Sequence, residues 1–443
     1  MKEIKMETLE KIEEEYLSEK CSAIVRHALS NSDIQTVASS KDTVREMDFN
    51  FDINIKTMAV NNQKASGRCW IFAACNVMRE MIGKKIGIGS FKLSQSYIAF
   101  YDKLEKLNYV LNALIETIDQ DYDDRTVQFL VESGIGDGGQ WDMLVNVVKK
   151  YGICPKNAFV ETFTSNNTRI LNSLLNAEVR RFASEARRVK AKDGMDAVEE
   201  LKTSYMKRFY KALISCYGVP PKKFDLKYTD DKGQFQCVRG FTPLSFFNRY
   251  IGDKLDEYVS VINAPTKSKP FNKSYTVKYL GNVQGGKVVK HLNLPMERLK
   301  ELVIKQLKDG EIVWFGSDVS HYGDRMRGVW DDQEFDYKTL LNLDIKMEKG
   351  ESLDFRSSAM NHAMCITGVA FNEKGVPTKW KIENSWGNDR GKDGYFIMSA
   401  SWFDQYTYQA VVHKSYLTKE ELAAYEAEPV ILKPWDPMGS LAD

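Results

Sequence analysis

The chain has 443 residues, 43% of them hydrophobic and 12% aromatic, with a net charge of +1. That length allows two or three domains' worth of core, or one domain with large insertions. Near-neutral charge gives no reason to expect nucleic acid or an anionic membrane as the main partner, and no apolar run approaches the roughly 20 residues of a membrane helix. Seven scattered cysteines with no CxxC pair speak against zinc and thioredoxin-type chemistry. The N-terminus, MKEIKMETLEKIEEEYLSEK, is charged and lacks an apolar h-region, so it does not read as a secretory signal. The expectation is a soluble protein of a reducing compartment, the cytoplasm.

In chain order, Leu9, Ile12, Tyr16, Ile24 and Ala28 recur at helical spacing and predict one amphipathic helix over 8–30. Residues 43–56 read as an extended arm over the body. Helices are predicted at 69–83, 94–106 and 123–132, the second with Ser94 as N-cap. A glycine-rich loop, GIGDGGQ, leads into a helix over 141–150 that exits at Gly152 and Pro155. From about 165 to 215, Ala, Leu, Arg, Lys and Glu at helical spacing read as an inserted helical subdomain. Residues 216–295 are mixed, with turns at 218–221 and 285–286, and a helix over 296–308 closes the segment. Beyond it, EIVWFGSDV, HAMCITGVAF, TKWKIENSW and GYFIMSASWF read as strands between Gly, Asn and Asp turns. Helices first and strands last make an α+β chain with its core split between two lobes. The tail, EPVILKPWDPMGSLAD, has three prolines and reads as an extended arm, neither a helix nor a central strand.

The stretch QKASGRCWIFAACNVMRE puts Cys69 ahead of an apolar run, at the N-terminal end of a helix that should be buried. Free N–H groups and the macrodipole favour an anion there. With a cationic partner, a thiolate at such a site has a pKa of roughly 3.5–7.5. The partner needed is a histidine. Of the five histidines, His27 reads as a surface or interface residue, His291 and His413 as solvated or structural, and His321 as part of a charged loop. His362 opens the most apolar strand and is the best candidate base, although on chemistry alone it stands level with a satisfied core histidine. In KIENSWGNDRGKDGYF, Asn384 lies at a strand end ahead of Trp386. An asparagine can hold an imidazole in one orientation and a tryptophan can shield that bond from water; taken alone, NSWG reads as a turn after a strand. Cys75 reads as helix core and Cys365 as strand core, while Cys21, Cys154, Cys216 and Cys237 have no ligand partners at metal spacing.

Gln63, Cys69-Trp70, His362 and Asn384-Ser385-Trp386-Gly387, in that order, resemble the papain-like cysteine peptidases. GRCW here departs from the GSCW-type sequence of secreted members. QxxxGRCWIFAA, DGGQWDM, YGICPKNAF, NHAMCITGV, KIENSWG and PWDPMG resemble motifs of one intracellular branch, the aminopeptidase C / bleomycin hydrolase family, over nearly the whole chain.

That resemblance implies a papain-like two-lobed fold, a helical lobe plus a β-barrel-like lobe. It implies an N-terminal helix and arm (1–50), a helical catalytic lobe (51–159), an inserted helical subdomain (160–295), a β-rich lobe (296–420) and a C-terminal arm reaching the active site (421–443). It implies Cys69 as nucleophile, His362 as general base and then acid, Asn384 as its orienting partner, and Gln63 with the Cys69 backbone N–H as oxyanion hole. Gly138 and Gly139 would expose backbone to an extended substrate, Asn361 would contribute its carbonyl, and Trp386 would be a shield. The Asp443 α-carboxylate would take the substrate's amino group and make the enzyme an aminopeptidase. The implied partners are peptides with a free N-terminus and further copies of the chain in a homohexamer, with no metal or organic cofactor. The basic run 187–192 reads as a solvated helix face before it reads as a nucleic-acid patch. Two other readings stand beside this one: an amide hydrolase acting on non-peptide substrates, and a chamber-forming binding protein with incidental catalysis.

Overall fold

The N-terminal apolar spacing forms two helices where one was expected, α1 (Met6–Ser18) and α2 (Ser22–Asn31). No proline or glycine marks the break. Glu19 turns extended and the Tyr16 hydroxyl reaches the Ser22 carbonyl at 3.2 Å. α1 has no buried residue, so no tertiary packing extends it. The structure is a computed structural model that describes residues 3–40 and 47–442; residues 41–46 of the expected N-terminal arm lie outside it. The arm ends in a short strand, β1 (Ile53–Asn54), which pairs antiparallel with Val369 and Gly368.

α3 (Cys69–Ile86) is buried along most of its length, and Gly87 stops it in a left-handed conformation (φ 65°). α4 (Gln95–Glu116) begins where expected, with the Ser94 hydroxyl accepting from Tyr97 N at 3.1 Å, and continues past 106 because Leu107, Val110, Leu111 and Leu114 prolong its buried stripe. α5 (Arg125–Ser133) is capped by Asp124, and α6 (Trp141–Tyr151) ends at Gly152. Two long helices follow, α7 (Arg169–Asp193) and α8 (Met195–Tyr217), separated by Gly194.

The segment 160–295 is helical only in part. After α8 it holds a hairpin, β2 (Phe224–Thr229) and β3 (Phe235–Phe241), and then α9 (Pro243–Tyr250). It ends in β4 (Tyr258–Ile262), β5 (Lys273–Val277) and β6 (His291–Asn293), which join the main sheet. α10 (Met296–Lys308) has the expected bounds. The remaining strands are β7 (Val313–Ser317), β8 (Gly323–Asp324), β9 (Val329–Trp330), β10 (His362–Phe371), β11 (Pro377–Glu383) and β12 (Tyr395–Ser399). The run GYFIMSASWF is strand only as far as Ser399, whose hydroxyl accepts from Trp402 N at 3.3 Å and starts α11 (Ala400–Tyr406). β13 (Thr407–His413), not expected from the sequence, lies between β4 and β7.

α12 (Lys419–Glu426) precedes the tail, which forms β14 (Val430–Leu432) on the sheet edge beside β5 and then a last 3-10 turn over 437–442. The sheet runs β14-β5-β6-β4-β13-β7-β10-β11-β12-β9-β8, with β1 added to β10.

This sheet divides two cores. Trp314 of β7 and Ala363 and Cys365 of β10 join the core formed with α3 to α9. The alternate residues Val313, Phe315, Met364 and Ile366 join the core under α10 and α11. α3 therefore lies against one face of β10, and its first residue meets that strand's first residues.

Arg79 of α3 ties this helix to the segment before Gln63 and to the end of β11. Its guanidinium donates to Met58 O and Ala59 O at 2.8 Å each and to the Glu383 carboxylate at 2.5 Å, with both side chains buried. Removing one partner of a buried pair costs about 3–5 kcal/mol. Arg79→Met is expected to lose that much in urea unfolding; a loss below about 1 kcal/mol would contradict the role given to this pair.

Candidate active site

Cys69 is the first residue of α3 and is 4% exposed. Its sulfur accepts from the backbone N–H of Ala363 at 3.4 Å, so β10 brings the residue after His362 onto the thiol. The His362 ring nitrogen Nε2 lies 2.9 Å from Asn384 Oδ1. An amide oxygen only accepts, so Nε2 carries the proton and Nδ1 keeps its lone pair. The same oxygen accepts from Ser385 N at 2.7 Å, which holds the amide in place. Trp386 stacks on the His362 ring with centroids 4.8 Å apart, and the Arg325 guanidinium lies 5.0 Å from the Trp386 centroid.

Gln63 reaches the same place through Ser385. Ser385 Oγ donates to Gln63 Oε1 at 2.6 Å, and Gln63 N donates to Ser385 O at 2.8 Å. Gln63 Nε2 donates to Ser66 O at 2.7 Å, which leaves the second amide hydrogen for another acceptor. Ser66 Oγ closes the loop onto Gln63 O at 2.6 Å and accepts from Arg68, itself buried and paired with Glu161 at 3.1 Å. The signal for Ser385 was its place inside NSWG; nothing in the sequence linked it to Gln63, 322 positions away.

Gly138 and Gly139 are buried rather than displayed. A Cβ on Gly139 would stand 2.6 Å from the Trp70 ring, so glycine is required there by packing beside the cysteine. The Gly138 carbonyl accepts from Lys106, and the Asp137 carbonyl accepts from Trp70 Nε1 at 2.7 Å. The Asp137 carboxylate accepts from Gly67 N at 3.2 Å and pairs with Lys103 and Thr168. Burial alone would raise the Asp137 pKa, but the Lys103 charge and these hydrogen bonds hold it well below the usual carboxylate range.

Asn361 is exposed; its side chain bonds Asp318 Oδ1 and Ser320 Oγ at 2.6 Å each and accepts from Val319 N at 3.0 Å. Asp443 lies outside the described residues. Cys75 and Cys365 are buried, as expected for core cysteines, and Cys154 is buried too. His291 is fully buried in β6, its Nδ1 2.7 Å from Ser260 Oγ. In the basic run, Arg187 binds the Gln120 carbonyl at 2.6 Å and Lys190 pairs with Asp119.

Burial pushes the Cys69 thiol up to about 11, offset in part by the Ala363 N–H. Burial pushes His362 down to about 4, against the pull of its bond to Asn384. Each group taken singly favours its neutral form.

The Peptidase C1-like family model matches residues 3–439. Aminopeptidase C of Streptococcus thermophilus is 45% identical over 435 residues, covering 98% of each chain. Bleomycin hydrolase of Homo sapiens is 39% identical, covering 87% of this chain and 86% of its own. The solved structure of pepw from Lactobacillus rhamnosis superposes with a TM-score of 0.96 at 44% identity, covering 99% of both chains. The chain belongs to the Peptidase C1-like family of papain-like cysteine peptidases. Within that family it is a cysteine-type aminopeptidase of the aminopeptidase C / bleomycin hydrolase branch.

Proposed function

We propose that Cys69 and His362 release N-terminal residues from short peptides by two-step acyl transfer. The observation that carries this reading is the Cys69 sulfur held 3.4 Å from the N–H of Ala363, the residue after His362, whose imidazole is fixed by Asn384 at 2.9 Å. Cys69 Sγ gives its proton to His362 Nδ1 and attacks the scissile carbonyl, whose oxygen becomes an oxyanion. The free amide hydrogen of Gln63 and the Cys69 backbone N–H, which as the first of its helix has no intrahelical acceptor, receive that charge. His362 returns the proton to the leaving amine as the C–N bond breaks. Water then gives a proton to His362 and attacks the thioester, releasing the acid and restoring the thiol. Asn384 holds the proton of the neutral imidazole on Nε2 and leaves Nδ1 as the base, and Trp386, stacked on the ring, covers the histidine–asparagine bond.

Where the chain's natural terminus is Asp443, its α-carboxylate is the candidate anchor for the substrate's ammonium group. The docking of the arm beside Met360, through the Ser440 hydroxyl at 2.7 Å, supports this. Hydrolysis of an aminoacyl fluorogenic amide and its N-blocked counterpart tests the mechanism and the anchor together. The intact protein should cut only the free-amine substrate. Cys69→Ala should be inactive, Gln63→Ala about 100–1,000-fold slower, and a protein lacking 441–443 should cut both substrates. Equal cutting of both by the intact protein would remove the anchor from the account.

The pH profile follows from His362. Its folded pKa lies below the ordinary value of 6.5, at about 4, so the base stays unprotonated as pH falls through 6.5 and is lost only lower. The acid limb of kcat/KM is expected well below 6; a limb at 6.5 or above would contradict the buried, asparagine-held imidazole. A second substrate class, non-peptide amides, is favoured by the similarity to bleomycin hydrolase, and competition between the two amide types decides its weight.

α1 and α2 leave Leu9, Ile12, Leu17 and Ile24 exposed, which supports their burial against further copies in a homohexamer. Light scattering should give six chains for the intact protein and fewer without residues 1–33; one chain in both would end that reading. Among the described residues no helix is long and apolar enough to cross a membrane. Cysteines that are all free support a cytoplasmic location.

A further inference from the structure

The last turn of the arm rests in a built seat. Asp436 is its pivot: Oδ1 accepts from Met438 N at 2.9 Å, the Asp436 carbonyl accepts from Gly439 N at 2.9 Å, and Oδ2 meets Lys269 Nζ at 3.0 Å. Lys269 is 3% exposed, so this ion pair is largely withdrawn from water and screened little by salt. Just ahead of it, Trp435 is flanked by the Arg125 guanidinium at 3.9 Å and by the Phe129 ring at 6.4 Å, and its carbonyl accepts from Arg356. Met438 and Leu441 are buried in the same core as Met360 and Ala363. At the far end Ser440 Oγ donates to the carbonyl of Met360, two residues before His362.

We propose that Lys269, Asp436 and Ser440 are specificity-determining positioning residues: together they set how far the end of the arm extends into the cleft. This rests on the reading of the arm as an amino-group anchor. Ser440 is bonded to the carbonyl two residues before His362, so the seat fixes where the end of the arm leaves the core. Without these three side-chain contacts the arm keeps its hold at Trp435 but loses its polar ties beyond it. The residues after Trp435 then range over a wider span. The effective concentration of carboxylate at the substrate's amino group falls, and the cleft it filled opens. The seat touches neither sulfur nor imidazole, so it sets which substrates enter and leaves the reactivity of the thiol alone.

The test compares Lys269→Met and Ser440→Ala, each in the otherwise intact chain, with the intact protein and a protein lacking 441–443. Rates are measured on the free and N-blocked aminoacyl amides, and Cys69 alkylation by iodoacetamide serves as the control. The blocked-to-free ratio should rise at least about 10-fold in Lys269→Met and several-fold in Ser440→Ala, toward the value for the shortened protein. Alkylation should stay at the intact rate, which general damage to the site would lower. If the shortened protein shows the raised ratio and neither substitution moves it, the seat does not set specificity and the inference fails alone. If shortening leaves the ratio unchanged, the anchor reading fails and takes this inference with it.

Discussion

The site depends on one buried guanidinium. Arg79 binds Met58 O and Ala59 O, on the segment that leads to Gln63, while projecting from the helix that starts at Cys69. Its third partner, Glu383, immediately precedes Asn384. Three parts of the chain that each carry one polar group of the site are thus tied to one side chain. Burial pushes the Glu383 carboxyl up to about 7, against the Arg79 charge. That makes the pair poor as a source of stability and useful as a register device: an alternative packing that separates the two leaves a charge buried and unpaired.

The electrostatics of Cys69 and His362 follow from the same burial. Low exposure makes a lone thiolate at Cys69 and a lone imidazolium at His362 both costly. The fold offsets this with fixed dipoles: the start of α3, the Ala363 N–H on sulfur and the Asn384 oxygen on the imidazole. These are fixed by the fold itself, so a thiolate and an imidazolium formed here would meet donors and acceptors that need no reorganisation. The buried Lys103–Asp137 pair serves the loop on the other side of Cys69, holding Gly67 N and, through the Asp137 carbonyl, Trp70.

Much of this was legible in the sequence where the determining signal is local. Helical spacing located α4, with Ser94 as its cap, and α6 and α10, and continuous apolar runs located β7 and β10. The order Gln63, Cys69, His362, Asn384 pointed to a family, and its fold followed. What stayed hidden depends on partners far along the chain. β13 reads as an ambiguous apolar stretch until β4 and β7 flank it. The strands between Tyr258 and Asn293 were read with the helices before them because they are short and separated by long turns. Gly139 looked like a substrate-facing glycine, and only the Trp70 ring against it gives the packing reason. Ser385, which orients the Gln63 amide, is one of many serines until the fold brings position 63 to it.

The central claim is that Cys69 reacts because of its surroundings and in spite of its burial. Cys21 and Cys237 are exposed, whereas Cys69 is 4% exposed. The direct measurement is peptide mapping of the native protein after one equivalent of iodoacetamide at neutral pH, beside His362→Ala. The account predicts label on Cys69 ahead of Cys21 and Cys237, with that preference lost in the variant. Label on the exposed cysteines first, or a preference for Cys69 that survives the loss of His362, would contradict it.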